Sequence, residues 1–139
     1  MTDTEDLARL HRAAFTVSRP WSAAEIEGLI GSPHVALFRA AHGFALTRLV
    51  AGEAELLTVA VDPAHHRKGI AEGLLRRWLA EVGCTADTAL LDVAADNFPA
   101  QSLYVKLGFA EAARRPEYYA RPNTPRVDAV IMKLALTKG

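Results

Sequence analysis

Asp92, Asn97 and Tyr104 stand close together in the stretch LLDVAADNFPAQSLY, and a basic run, His65, His66, Arg67 and Lys68, then Gly69, lies upstream. A carboxylate takes up a proton and a phenol gives one, the minimum for general acid/base transfer. The basic run opens a helical pattern, because Ala71, Leu74, Leu75, Trp78, Leu79 and Val82 recur at spacings of three and four. Cations at a helix start oppose its partial positive charge and cost about 0.3 to 1 kcal/mol at a surface. The order makes sense if an anion completes the site, held by free backbone N–H groups and basic side chains together, and a phosphate is the natural candidate.

Each of these residues has a plainer reading. Asp92 could anchor nearby backbone N–H groups, Asn97 could simply cap a helix, and Tyr104 lies beside a buried stripe. Glu53 and Glu55 precede an apolar run and read as a solvated edge, with Glu55 the reserve general base if the strand is splayed. His65 and His66 have no partner at metal-ligand spacing, so no metal is expected. The lone Cys84 sits in VGCTAD, which offers no basic setting for a catalytic thiol.

The elements that must position these groups follow from periodicity and turn chemistry. Asp3 or Thr4 can cap a first helix with a Leu7, Leu10, His11, Ala14 stripe that leads to Phe15. A loop, Thr16 to Pro20, then delivers Trp21. Ser22 and Glu25 have the capping-box spacing for a helix from Ala23 to Ile30 that stops at Gly31. Trp21 occupies the hydrophobic-staple position and is equally a candidate wall of a binding cleft. Strands at Val35 to Ala40, Gly43 to Val50 and Ala54 to Val61 form an antiparallel meander. The basic-headed helix ends near Gly83, and a strand from Thr88 to Ala94 is expected to lie parallel to its predecessor. A helix capped at Asp96 or Asn97 buries Ala100, Leu103 and Leu107 and ends at Gly108. Phe109 to Ala113 and Val127 to Leu136 are the last strands, and the long RRPEYYARPNTPR connection reads as a working loop or a bent strand. The sum is one α/β (α+β) domain over residues 1–139, with a mixed central sheet flanked by helices. Parallel strands would bring the basic loop and Asp92 to one sheet edge, where open α/β sheets bind ligands.

With 139 residues, half of them apolar, the chain has material for one core and too little for two. Formal net charge is zero, which gives no global field for nucleic acid or anionic membrane. No apolar run approaches the roughly 20 residues of a membrane span, and MTDTEDLARLHRAAF is polar where a signal peptide would be basic and then apolar. A cytoplasmic protein is expected, with no membrane or nucleic-acid partner.

Taken together, HHRKGIAEGLL after VAVDP, followed by VAADNFPAQSLYVKLGF, resembles the GNAT superfamily of acetyl-CoA-dependent N-acetyltransferases. The nearer likeness is to the RimI-like ribosomal-protein-alanine N-acetyltransferases, whose AAFTVSRPWS, LLTVAVDP, DN..A..LY..LGF and RR.EYY...VDAVIMKL segments occur in the same order from Leu7 to Leu136. That resemblance implies a short or absent N-terminal strand and acetyl-CoA as cosubstrate. It implies a pyrophosphate loop of His66, Arg67, Lys68, Gly69, Ile70 and Ala71, with His66 departing from the usual Gln or Arg. Val59 and Val61 map to the backbone partners of the pantetheine arm, Asn97 to an amide contacting that arm, and Tyr104 to the general acid. Asp92 falls where the RimI-like enzymes have a glutamate base, one methylene longer, so a water relay gains plausibility. Tyr118 and Tyr119 match an aromatic pair near the acceptor groove. The implied reaction is acetyl transfer to the N-terminal α-amine of a protein, a ribosomal protein among the candidates, by a monomer or weak dimer. A GNAT enzyme of a small-molecule amine and a catalytically silent acyl-CoA-binding module are the rival readings.

Overall fold

The structure is a computed structural model that describes residues 3–14, 21–66 and 68–136. Two helices come first, α1 (Asp3–Ala14) and α2 (Ala23–Ile30). Asp3 and Thr4 already lie inside α1, so the cap expected at one of them falls outside the described residues. On α2, Ser22 Oγ accepts from Glu25 N–H and Glu25 reaches back to Ser22 N–H, both at 3.1 Å, the reciprocal pair its sequence spacing predicts. The strands β1 (Val35–Ala40), β2 (Gly43–Val50) and β3 (Glu53–Val61) make the antiparallel meander. A short 3₁₀ turn, Pro63–His65, leads to α3 (Ile70–Val82), then β4 (Thr88–Ala94), α4 (Phe98–Lys106), β5 (Ala110–Tyr119) and β6 (Val127–Ala135). Among the described residues no strand precedes α1.

The six strands form one mixed sheet in the order β1-β2-β3-β4-β6-β5, with β3 and β4 its parallel pair. Two apolar clusters hold it. On one face Leu74, Leu75, Trp78 and Val82 of α3 pack with Ala54, Leu56, Leu91 and Val93. On the other, Leu7 and Ala8 of α1 and Ile26 of α2 pack with Phe44, Leu46 and Ala60. β3 serves both clusters because of a bulge. Thr47 pairs with Leu56 and Leu46 with Thr58, so Leu57 is an extra residue and the inward-facing set changes sides there.

Much of the long connection expected before β6 is a bent strand. β5 runs through to Tyr119, with register shifts between Glu111 and Ala113 and again between Arg115 and Tyr119. Glu117 sits at φ 50° in the second irregularity, and its N–H donates to Asp128 Oδ1 at 3.0 Å. On β2, Gly43 is needed for close approach, since a Cβ there would meet Ala60 O at 2.9 Å and Ile70 Cγ2 at 3.1 Å. The first residue of α3 thereby settles against the end of the β2–β3 pair.

Candidate active site

β3 and β4 pair only from Glu53 and Thr88 to Leu56 and Leu91. Both run on, β3 to Val61 and β4 to Ala94, so past this point the sheet parts into a wedge. β2 holds the other edge of β3, with Asp62 N–H donating to His42 O at 2.9 Å. Strand alternation then turns the backbone groups of Ala60 toward β2 and those of Val59 and Val61 into the wedge. Unpaired strand groups there suit an extended ligand bearing amides. One of them is already engaged: His66 Nε2 lies 3.1 Å from Val61 O, and since a carbonyl only accepts, Nε2 carries the proton.

The same sheet end receives the start of α3. Gly69 is its cap residue, left-handed at φ 75° and ψ 14°, and no side chain caps this helix. By contrast Ser22 caps α2 and Asn97 caps α4. The first N–H groups of α3 therefore remain open donors at a partially positive end, which fits a pyrophosphate. Ile70 and Ala71 form the first turn, and Lys68 Nζ reaches His65 Nδ1 at 3.5 Å while the His65 ring stacks on His42 at 3.5 Å. Arg67 lies outside the described residues.

Across the wedge, Asp92 and Glu55 share a face. Glu55 pairs with Leu90, and Asp92 is two residues further along the same strand. Burial pushes the Asp92 carboxyl above its ordinary range; the Arg115 guanidinium pulls the other way and the Glu55 charge adds to the rise. Glu55 itself is held by Arg48, Nη2 to Oε1 at 2.6 Å. Arg48, Glu53, Glu55 and Leu90 line a shallow groove of about 440 Å³ beside this pair.

Tyr104 projects from α4 and is 6% exposed, its ring edge-on to Phe109 at 6.1 Å. Periodicity expected Ala100, Leu103 and Leu107 to be the buried stripe; they are partly buried, and Tyr104 is the most buried residue of the helix. No described residue takes or gives a hydrogen bond at its hydroxyl, and only the Trp78 indole N–H is both sealed and unpaired among described side chains. The phenol oxygen thus meets solvent although the ring is core. Burial, and then Tyr119, pushes the Tyr104 phenol well above its usual value. Tyr119 is pushed up to about 12 by burial and then by the Asp92 charge. These two influences link Asp92, Tyr119 and Tyr104 as one neighbourhood.

Asn97 caps α4 through Oδ1, which accepts from Ala100 N–H at 3.3 Å. Its amide N–H₂ remains a donor, so capping and a ligand contact are compatible. Tyr118 is 46% exposed and meets Tyr119 edge-on at 5.0 Å. Trp21 has a packing role: its ring stacks on His11 at 5.0 Å and its backbone N–H donates to His11 Nδ1 at 3.0 Å. Buried His11 in turn contacts Thr58 Oγ1 through Nε2 at 3.2 Å, next to the Leu57 bulge. Phe15 and Thr16 to Pro20 lie outside the described residues.

Sequence reasoning did not single out His11 as a tether, nor Arg115 and Arg121. Arg115 stands 5.6 Å over the Tyr118 ring and Arg121 stands 5.8 Å over Tyr119. The alternation of basic and aromatic residues in RRPEYYAR was the available signal. Among the described residues no group of three or more His, Cys, Asp or Glu could hold a metal ion, and no helix is long and apolar enough to cross a membrane.

A parted parallel strand pair beside an uncapped helix start can receive an extended ligand that bears amides and an anionic group. The profile of the Acetyltransferase (GNAT) family matches residues 5–109, and the chain belongs to that family and is an acetyltransferase. It is 35% identical over 142 aligned residues to the [ribosomal protein bS18]-alanine N-acetyltransferase of Escherichia coli K12, covering 97% of this chain and 95% of that protein. The crystal structure of the ribosomal-protein-S18-alanine N-acetyltransferase from Escherichia coli superposes with a TM-score of 0.89 at 30% identity, covering 100% of this chain and 91% of that one. Arabidopsis thaliana NAA60, solved in complex with acetyl-CoA, shares the fold at a TM-score of 0.81 and 17% identity, over 96% and 93% of the two chains.

Proposed function

We propose that the protein transfers the acetyl group of acetyl-CoA to the N-terminal α-amine of a protein, a ribosomal protein being the first candidate, in the cytoplasm. The wedge between β3 and β4 supports this reading, because it leaves the Val59 backbone groups and the Val61 N–H without a strand partner at the sheet end that receives the open N-terminus of α3. Bound acetyl-CoA supplies the acetyl thioester. Gly69, Ile70 and Ala71 would hold the pyrophosphate through backbone N–H groups, with Lys68 and the His66 segment beside them. Val59, the N–H of Val61 and the Asn97 amide orient the arm that precedes the thioester.

Asp92 removes a proton from the acceptor ammonium, directly or through one water. An α-amine with a reference pKa of about 8 is far easier to deprotonate at neutral pH than a lysine at about 10.4, so one carboxylate suffices. The amine nitrogen forms the C–N bond as the C–S bond breaks and its second proton passes to water, while Tyr104 hydrogen-bonds the departing thiolate, which takes up a proton from solvent. Placing both substrates in line is worth about 7 to 11 kcal/mol. That exceeds the acid/base contribution of about 10² to 10⁴ in rate. Trp21, Tyr118 and Tyr119 wall the acceptor side.

A second reading, a small polyamine acceptor, draws on the groove beside Glu53 and Glu55, whose carboxylates would suit several ammonium groups. Mass spectrometry after incubation with acetyl-CoA separates the two. Peptides beginning Ala-Arg, Ser or Met acetylated at the first nitrogen support the α-amine reading, and modification of polyamines or aminoglycosides alone overturns it. Binding of acetyl-CoA with no transfer to any amine leaves the silent-module reading instead.

The loop assignment has its own expected result. Gly69→Ala places a left-handed alanine at the cap, a strain of about 1 to 2 kcal/mol, although its Cβ meets no atom within 4 Å. Initial rates should show KM for acetyl-CoA raised about tenfold with kcat at saturation little changed, the pattern of lost uniform binding. An unchanged KM would remove Gly69 from the cofactor loop.

A further inference from the structure

Arg121 follows the aromatic pair, and its side chain is only 8% exposed. Its Nε and Nη2 donate to the two oxygens of Asp96 at 2.9 and 2.8 Å, and Nη1 donates to Ala120 O at 2.9 Å. The guanidinium stands over the Tyr119 ring, 5.8 Å from its centroid. Asp96 immediately precedes Asn97, the cap of α4, and Ala95 N–H donates to Asp128 O on β6 at 2.9 Å. One forked ion pair therefore joins the end of β5 to the start of the helix that carries Tyr104. Exposed ion pairs contribute about 0 to 1 kcal/mol unless the geometry is a two-point fork, as it is here, so this pair can tie its two segments together as well as direct them. A planar fork closing on both carboxylate oxygens fixes direction as well as distance, which a lysine cannot do.

We propose that the Asp96–Arg121 pair is a positioning clamp, holding Tyr119 against the head of α4 so that the acceptor wall keeps a set register against the helix that carries Tyr104. Neither residue touches the reacting atoms; both act through Tyr119. The inference rests on the reading that this cleft receives a peptide α-amine. It goes further in assigning acceptor selection to an ion pair outside the cofactor loop and outside the proton-transfer groups.

Two variants separate geometry from charge. Asp96→Asn keeps the shape and loses the charge, while Arg121→Lys keeps the charge and loses the fork. Steady-state kinetics with a free-amine peptide that the parent protein acetylates should show the acceptor KM raised about tenfold in both, with KM for acetyl-CoA within about twofold of the parent protein. Hydrogen–deuterium exchange in the absence of substrates should be faster across residues 117–122 in Asp96→Asn. Wild-type acceptor KM in either variant, or a parallel rise in both KM values, overturns the clamp, and so does unchanged exchange. A parent protein that acetylates no peptide, with exchange still faster in Asp96→Asn, sinks the functional reading and leaves the clamp on Tyr119 standing.

Discussion

Tyr104→Phe should lower kcat about a hundredfold while leaving acetyl-CoA affinity and thermal stability close to those of the parent protein. The ring is core, packed edge-on to Phe109, and phenylalanine keeps that contact. The hydroxyl has no described partner, so removing it orphans nothing, and stability should change little. Catalysis is another matter. Burial raises the phenol's pKa, so Tyr104 stays protonated throughout the working range and always has a proton to give. A thiol with a reference pKa of about 8.5 is a stronger acid than this phenol, so complete transfer to sulfur is uphill. The contribution is therefore mainly a hydrogen bond to the developing thiolate, which argues for the lower part of the 10² to 10⁴ range of acid/base catalysis. Single-turnover rates and acetyl-CoA titration check both halves. Normal turnover, or collapse of cofactor binding, would assign Tyr104 to packing alone.

Asp92→Asn is expected to cost about 10² to 10³ in kcat/KM and at the same time to raise the melting temperature at pH 7. The carboxyl is pushed up by burial first, with Arg115 opposing and Glu55 assisting. A group whose folded pKa is raised favours the folded state while protonated, and that advantage is lost as pH rises through the folded value. At neutral pH the ionised Asp92 is thus a cost that asparagine relieves, and the melting-temperature gap should close toward acid, where aspartate is protonated in both states. Activity carries the opposite sign, since only the carboxylate accepts a proton. The acidic limb of kcat/KM should lie above the range of a free aspartate, move down in Glu55→Gln, and move up in Arg115→Ala. Asp92→Glu should retain activity if the base works at longer reach. A limb that ignores both neighbours would exclude Asp92 as the base.

Much of this site could be read one residue at a time. The capping box at Ser22 and Glu25, the meander, the basic-headed helix and the Asn97 cap all depend on neighbours three or four positions away, or on turn residues between apolar runs. Such interactions are written in local order. Tyr104 was harder, because periodicity treats a buried ring and an available hydroxyl as alternatives and the structure combines them: a core ring with an open hydroxyl. The bent β5 was open between loop and strand, since Pro116 and Glu117 break a ladder that only β6 can reveal.

The sequence by itself determined which elements form and in what order, together with the anion-seeking start of α3, because periodicity, caps and turns act over a few residues. Tertiary structure decided the rest. The wedge past Leu56 and Leu91 arises only when β3 stays with β2 while β4 follows β6. Asp92 comes under the charges of Glu55 and Arg115, and Arg121 closes on Asp96, through pairings between strands and helices far apart in the chain. The physical reason is range: a side chain's own neighbours fix its local conformation, whereas its charge state and its partners are set by whatever the folded sheet carries to it.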